Sequence, residues 1–269
     1  SGANEIAADA VEKFLTTIID TSVCDLTRLE HTNATEMAKV LENSYRAMNI
    51  AFAVEWSRFA EEAGVDLYAM VNAIRARPTH ANLMYPGIGV GGYCLTKDPL
   101  LASWARKSFF GSEFDLEMSV NGVSVNDQMP IFAFNRLVQV FGDLGGKKVA
   151  FLGVSYRGDV GDTRFTPVGP LVEMVRETGA EILLHDPFVS YWEEHKCGVE
   201  SDLNTVLHSG ADVIVLSAGH RQYKQKSTID KLLALDSTSI YDTIGLFDSE
   251  QLLILQRQHK VSVLGRGDL

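Results

Sequence analysis

The 269 residues, 46% hydrophobic and 22% charged with a mean hydropathy of +0.01, make a chain long enough for one large domain or two smaller ones, and nothing in the composition indicates disorder. Its 35 acidic and 24 basic side chains leave a net charge of −11, which argues against binding nucleic-acid phosphates or an anionic membrane, so an anionic ligand must be held by local donors. No apolar run reaches the ~18 residues of a membrane helix and the N-terminus lacks the basic-then-apolar order of a secretory signal, so the expected location is the cytosol.

In chain order, Ser1-Gly2-Ala3-Asn4 leads straight into a helical pattern carried by Ile6, Val11, Phe14, Leu15, Ile18 and Ile19, with no strand before it. A long helix is predicted from Ala34 to Ala63 and is stopped by Gly64 at the position after its C-cap. At ~1.5 Å per residue it would span ~45 Å, a length suited to a spine between domains or subunits. Glu36, Lys39 and Asn43 are spaced three and four apart on its polar side and project together. A shorter helix follows at Asp66–Ile74, then a polar connection containing Arg75, Arg77, Pro78, His80 and Asn82.

That connection enters Gly87-Ile88-Gly89-Val90-Gly91-Gly92-Tyr93-Cys94-Leu95-Thr96-Lys97-Asp98-Pro99, a glycine-dense loop able to lie close to a ligand and deliver a side chain to it. A helix is predicted to open at Lys97-Asp98-Pro99, and a single one over Asn121–Phe141 with Pro130 at a kink or N-terminal turn. Beyond Gly142 the period changes. Lys148–Val154 reads as a strand buried on both faces, and helices and strands then alternate: strands at Glu181–His185, Ala211–Ala218, Ser239–Asp242 and Val261–Leu264, helices at Pro167–Thr178, within Val199–His208, and at Ile229–Leu235. The alternation predicts a parallel sheet with ligands at the carboxyl ends of its strands.

Several motifs carry chemistry. Gly87–Gly92 fits G-x-G-x-x-G formally, but that fingerprint must follow a strand, and here Pro86 and a polar connection precede it. The loop Gly153-Val154-Ser155-Tyr156-Arg157-Gly158 is better placed and reads either as a phosphate or ribose site or as a structural glycine turn. Arg164 stands before a helix N-terminus, where it can bind an anion or pair with Asp159 or Asp162. Cys94 has Asp98 four residues on and Lys97 near it, as expected for a lowered thiol pKa, a covalent nucleophile and a carboxylate to activate water; a structural loop is the competing reading. Three scattered cysteines, Cys24, Cys94 and Cys197, rule out a disulfide framework, and no His or second Cys lies at metal-ligand spacing beside Cys94, so no metal is expected.

Gly89-Val90-Gly91-Gly92-Tyr93-Cys94 with Lys97-Asp98-Pro99 strongly resembles the catalytic loop of the UDP-glucose/GDP-mannose dehydrogenase family, and Thr35-Glu36-Met37-Ala38-Lys39 with Asn43 resembles its central-helix motif. The likeness continues through Gly153–Pro167 and Asp186-Pro187 to Leu264-Gly265-Arg266. It implies an α/β architecture: an all-helical dimerisation domain over 1–142 carrying the cysteine loop, then a Rossmann-like parallel-sheet domain over 143–269 that binds the nucleotide sugar. It further implies a homodimer through helix 34–63 and NAD-dependent oxidation of a UDP-sugar C6 alcohol to the uronate through a Cys94 thiohemiacetal and thioester. By the same resemblance Lys39 stabilises the oxyanion, Asn43 places the reacting water or oxygen, and Asp98 assists proton transfer, whereas Glu36 either supports that face or is a solvated charge. Lys97 and Arg164 fall to the cofactor; Gly89, Gly91, Gly92, Tyr93, Tyr156 and Arg157 fall to the substrate; Arg75 or Arg77 is placed to reach the sugar of a neighbouring subunit.

Family members begin with an NAD-binding domain that this sequence does not show, so a truncated chain that binds NAD weakly or not at all is expected. The alternative is a non-catalytic dimerising module that binds a nucleotide sugar. Val90 resembles relatives acting on UDP-N-acetylhexosamines, whereas Tyr93 and Lys97-Asp98 resemble UDP-glucose enzymes.

Overall fold

The computed structural model describes residues 1–269. Its first part is helical: α1 (Glu5–Leu15), α2 (Thr32–Ala63), α3 (Leu67–Arg75), a 3₁₀ turn at Pro78–His80, α4 (Tyr93–Phe110), α5 (Glu117–Asp127) and α6 (Met129–Phe141). The long helix α2 ends where its periodicity predicts, with Gly64 in the left-handed region at φ 70°. Two predictions need correction. α4 opens at Tyr93, four residues early, because Gly92 at φ 77° turns the chain and Thr96 Oγ donates to the Gly92 carbonyl at 2.7 Å. Pro99 is therefore inside the helix, unable to donate to the Leu95 carbonyl, and Cys94 is in the first turn. The helix predicted over 121–141 is two, broken at Gln128 with Pro130 in the first turn of α6.

The second part contains β1 (Lys148–Leu152), α7 (Val168–Glu177), β2 (Glu181–His185), a hairpin of β3 (Tyr191–Trp192) and β4 (Cys197–Gly198), α8 (Leu203–Leu207), β5 (Val213–Leu216), α9 (Arg221–Lys224), α10 (Lys226–Leu233), β6 (Ser239–Asp242), α11 (Ser249–Leu255) and β7 (Lys260–Val263). The hairpin, α9 and α11 had no sequence prediction; each is short, and periodicity needs several turns or strand residues to register. Five strands form one parallel sheet in the order β2-β1-β5-β6-β7. Alternate residues of β1 explain its unbroken apolar run: Val149 and Phe151 join one core with α6 and α7, while Ala150 and Leu152 join a second with α8, α10 and α11.

The order reverses beside β1, between its pairings with β2 and β5, so the loops after β1 and β5 flank a crevice at the carboxyl edge. Close approach there requires glycine: a Cβ on Gly153, at φ 102°, would lie 2.3 Å from Ala218 Cβ. α2, α4 and α5 pack together, whereas α6, placed by sequence in segment 1–142, lays Met129, Ala133 and Leu137 into the sheet's core. Its apolar side complements the sheet, which local composition does not reveal.

The C-terminal residues are stitched to the α2–α3 corner. Leu67 N–H donates to the Gly265 carbonyl at 3.1 Å, and Gly267 N–H to the Val65 carbonyl at 3.0 Å. Glu61 accepts from Gly265 N–H at 2.7 Å and lies 3.0 Å from Arg136 Nε on α6. Burial pushes the Glu61 carboxyl up, partly offset by the Gly265 N–H and the Arg136 charge. Replacing Glu61→Gln leaves Arg136, only 17% exposed, without its counter-charge. Urea unfolding should show a loss of about 2 kcal/mol, less than for a fully buried pair, and an unchanged midpoint would show that the pair does not hold this corner.

Candidate active site around Cys94

The site is assembled by the first turns of α4 against the N-terminal half of α2. Cys94 is the second residue of α4 and its side chain is exposed. Asp98, one turn on and on the same side, is buried, and it accepts from Asn43 Nδ2 at 2.6 Å and from Lys97 Nζ at 2.7 Å. Asn43 in turn accepts from Lys39 Nζ at 3.2 Å. Four of the sequence-predicted residues thus form one hydrogen-bonded chain, Lys39–Asn43–Asp98–Lys97, joining two helices 55 positions apart in sequence at the Asn43–Asp98 bond.

Burial alone would raise the Asp98 carboxyl. The bonds from Lys97 and Asn43, with the charges of Lys97 and Lys39, outweigh it and hold Asp98 below the usual aspartate range. Lys97 is held correspondingly high by Asp98. A residue absent from the prediction completes the set: Glu42 accepts from Lys39 Nζ at 2.7 Å. Its position three residues after Lys39 is the signal that would have found it. Glu36 is exposed and joins none of these bonds.

Three glycines of the loop, Gly89, Gly91 and Gly92, are required by protein contacts, whereas a Cβ on Gly87 would meet nothing. A Cβ on Gly91 would meet Tyr156 Cβ at 2.4 Å and the Phe165 carbonyl at 2.8 Å; one on Gly92 would meet the Tyr156 ring at 3.0 Å; one on Gly89 would meet the Asn126 carbonyl at 2.9 Å. Gly92 N–H also donates to the Arg164 carbonyl at 2.9 Å. The loop is therefore seated on the segments after β1, which bring Tyr156, Phe165 and Pro167 beneath it. Tyr93 packs edge-on to Phe165 at 5.0 Å, and Arg164 stands over its ring at 5.3 Å while gripping Asp162 through two bonds of 2.9 and 2.6 Å. Clefts of about 480 and 350 Å³ open on either side of this aromatic pair; the first is lined by Lys97, Asn126 and Asp127, the second by Arg164, Trp192 and His195, and Cys94 lines neither. A larger hollow of about 730 Å³ lies between residues 2–8 and 28–33, apart from all these side chains.

Arg157 is exposed and unpaired at the carboxyl end of β1. Arg77 is also exposed and makes no contact with the group around Cys94, while Arg75 is engaged locally, donating to the Leu83 carbonyl and stacking on Tyr85 at 4.9 Å.

A family model described as the UDP-glucose/GDP-mannose dehydrogenase family, central domain, matches residues 33–128, and one described as the same family's UDP binding domain matches residues 150–249. A UDP-N-acetyl-D-mannosamine dehydrogenase of Pyrococcus horikoshii is 33% identical over 83% of this chain and 50% of its own length. A solved UDP-D-ManNAc dehydrogenase structure from the same organism superposes with a TM-score of 0.77 at 29% identity, over 98% of this chain and 59% of that one. A solved NDP-N-acetyl-D-galactosaminuronic acid dehydrogenase from Methanosarcina mazei Go1 gives 0.75 at 27% identity, over 87% and 51%. The chain spans about half the length of the relatives it matches.

The Asn43–Asp98 bond is testable without any ligand. Asn43→Ala removes one donor from a buried carboxylate, so carboxyl-carbon NMR should find Asp98 titrating higher than in the parent protein. Because the parent value is depressed, the stability Asp98 contributes is present above the unfolded value and fades as pH falls through the folded one; the variant's deficit, about 1–2 kcal/mol at neutral pH, should shrink in acid. A pH-independent deficit would deny the bond its electrostatic role.

Proposed function

The chain belongs to the UDP-glucose/GDP-mannose dehydrogenase family, and from that premise we propose that it carries the substrate-handling part of an enzyme oxidising the C6 alcohol of a UDP-sugar to the carboxylate with NAD. The observation that supports this most is the chain Lys39–Asn43–Asp98–Lys97, which places a cation, an amide and a low-pKa carboxylate beside the helix turn that bears Cys94. Cys94 Sγ adds to the carbon of the C6 aldehyde, the carbonyl oxygen takes the negative charge, and Lys39 stabilises it. Lys97 and Arg164 are the residues here that would help hold NAD, which when bound would supply the hydride acceptor for both oxidation stages at C6. Water held by Asn43 and Asp98 then attacks the thioester carbon, and the C–S bond breaks to return the Cys94 thiolate. Held below its usual range, Asp98 is a weak base, so it orients the water and passes the proton on to solvent.

The residues present fit one end of the dinucleotide only. Lys97 and Arg164 are exposed cations near the loop, with Arg164 half-neutralised by Asp162. The Val154 and Ser155 amides at the end of β1, where a dinucleotide sheet meets pyrophosphate, both donate to Asp186. We propose that residues other than these supply the greater part of the NAD site. Tyr156 and Arg157 take the UDP moiety, Arg157 as the phosphate cation, and the names of the relatives favour an N-acetylated hexose. We propose that α6, which packs against α7 and the sheet core, serves the sheet-bearing unit.

A second copy covers α2. Met37, Leu41, Tyr45, Phe52, Trp56 and Phe59 form an exposed stripe along one side of that helix. Light scattering should show a dimer, and Phe52→Glu should weaken it by about 2 kcal/mol or more; an unchanged dimer places the interface elsewhere.

A second reading is a dimerising nucleotide-sugar-binding module without turnover, supported by the Val154 and Ser155 amides being taken by Asp186. NADH production from UDP-N-acetylhexosamines and UDP-glucose, measured with the chain alone and with a separately expressed NAD-binding domain of a relative, separates the two. Activity restored by the added domain and abolished by Cys94→Ser is the expected result; UDP binding with no turnover in either mixture selects the module.

A further inference from the structure

The loop after β1 is held by a buried cluster that the proposed chemistry does not use. Asp186, fully buried at the carboxyl end of β2, accepts through Oδ2 from Val154 N–H at 2.9 Å, Ser155 N–H at 3.1 Å and Ser155 Oγ at 2.9 Å, and through Oδ1 from Phe188 N–H at 2.9 Å. His220, also fully buried in the loop after β5, lies with Nε2 3.1 Å from Asp186 Oδ2 and Nδ1 2.9 Å from the Asp159 nitrogen. A backbone N–H can only donate, so Nδ1 accepts, the imidazole is neutral, and its proton is on Nε2 facing Asp186.

We infer that Asp186 and His220 form a latch that closes the two ends of the 154–159 loop and, through Tyr156, positions the glycine loop leading to Cys94. The chain of contacts is continuous. Asp186 holds residues 154 and 155 at the near end; His220 holds Asp159 at the far end. Between them Tyr156 stands against Gly91 and Gly92, where a Cβ on Gly91 would overlap Tyr156 Cβ and one on Gly92 would crowd the ring at 3.0 Å. Asp159 sits at φ 59°, a conformation disfavoured for a residue with a Cβ, and three bonds maintain it: His220 Nδ1 accepts its N–H, and Arg221 donates to its carboxylate from the backbone at 3.0 Å and from Nε at 2.5 Å. Burial pushes Asp186 up, but the bonds from His220, Phe188 N–H and Ser155 outweigh it and keep it a carboxylate, the form able to accept them all. Both latch residues are positioning residues: neither is in the group around Cys94, and both act through Tyr156. The inference rests on the proposed function only for the catalytic meaning of Cys94.

Three substitutions dissect the latch. His220→Asn keeps an acceptor near Nδ1 for Asp159 and loses the donor to Asp186, His220→Gln does the reverse, and His220→Phe removes both. The whole chain is used, with no cofactor. Amide hydrogen exchange over 153–162 is read together with the iodoacetamide alkylation rate of Cys94 relative to the exposed Cys24, resolved by peptide mass spectrometry. Asp159 exchange should quicken about tenfold in the Gln and Phe variants and stay slow in the Asn variant, as loss of one hydrogen bond implies. The Cys94-to-Cys24 alkylation ratio should shift by about threefold or more in His220→Phe, an effect that a purely structural role, lowering the melting temperature alone, would not produce. Unaltered exchange and an unaltered ratio in folded His220→Phe overturn the latch. If that variant fails to fold, Ser155→Ala, which deletes one donor to Asp186, is measured in the same two ways: faster exchange with a shifted ratio supports the latch, and no change in either overturns it. A parallel titration with UDP reads the proposed function separately: no binding by the unmodified chain counts against the nucleotide-sugar assignment, while the latch stands or falls on exchange and alkylation.

Discussion

Two glycines pressed against one tyrosine side chain, Tyr156, hold the helical and sheet-bearing parts of this protein in register. A methyl group on Gly91 would collide with Tyr156 Cβ, one on Gly92 would crowd the Tyr156 ring at 3.0 Å, and Gly92 adds a backbone bond to the Arg164 carbonyl. α4 begins at the next residue, so its direction, and the position of Cys94 in its first turn, follow from how the loop is seated. The contact is steric first: a short-range repulsion that only hydrogen in place of Cβ relieves.

On the other side of α4 the constraint is electrostatic. Asp98 is buried against α2 and remains ionised because Asn43 and Lys97 each give it a hydrogen bond and two lysines supply positive potential. A buried carboxylate with fewer donors would take up a proton. Steric seating on Tyr156 just before α4 and polar pairing of Asp98 with Asn43 thus both fix α4, leaving the exposed Cys94 on a turn that cannot shift without disturbing one or the other.

In the sheet, too, a carboxylate is spent on holding a loop. Asp186 ends β2 where a dinucleotide-binding sheet carries the acidic residue that meets ribose, yet here its oxygens turn inward and satisfy the loop amides of Val154 and Ser155. The crevice at the carboxyl edge is consequently a preformed loop whose Val154 and Ser155 amides are already taken, leaving the exposed Arg157 side chain to donate. The C-terminal Gly265–Gly267 strip closes the opposite seam through Val65, Leu67 and Glu61, which gives the last residues of the chain a structural task.

Much of this is legible in the order of residues. The 3.6-residue period and Gly64 placed α2, the unbroken apolar run placed β1, and the i, i+4 spacings put Lys39 with Asn43 and Cys94 with Asp98, because those relations are set by backbone geometry within one element. The resemblance carried by Gly89–Cys94 and Thr35–Asn43 added the family. Folding in three dimensions was needed to decide that Asn43 meets Asp98, that α6 serves the sheet, that Gly91 and Gly92 face Tyr156, and that His220 closes on Asp186. Each is a contact between residues distant in sequence, made by side chains whose local neighbourhood looks ordinary, and it forms when burial and shape bring two elements together, which no period or spacing along a single chain encodes.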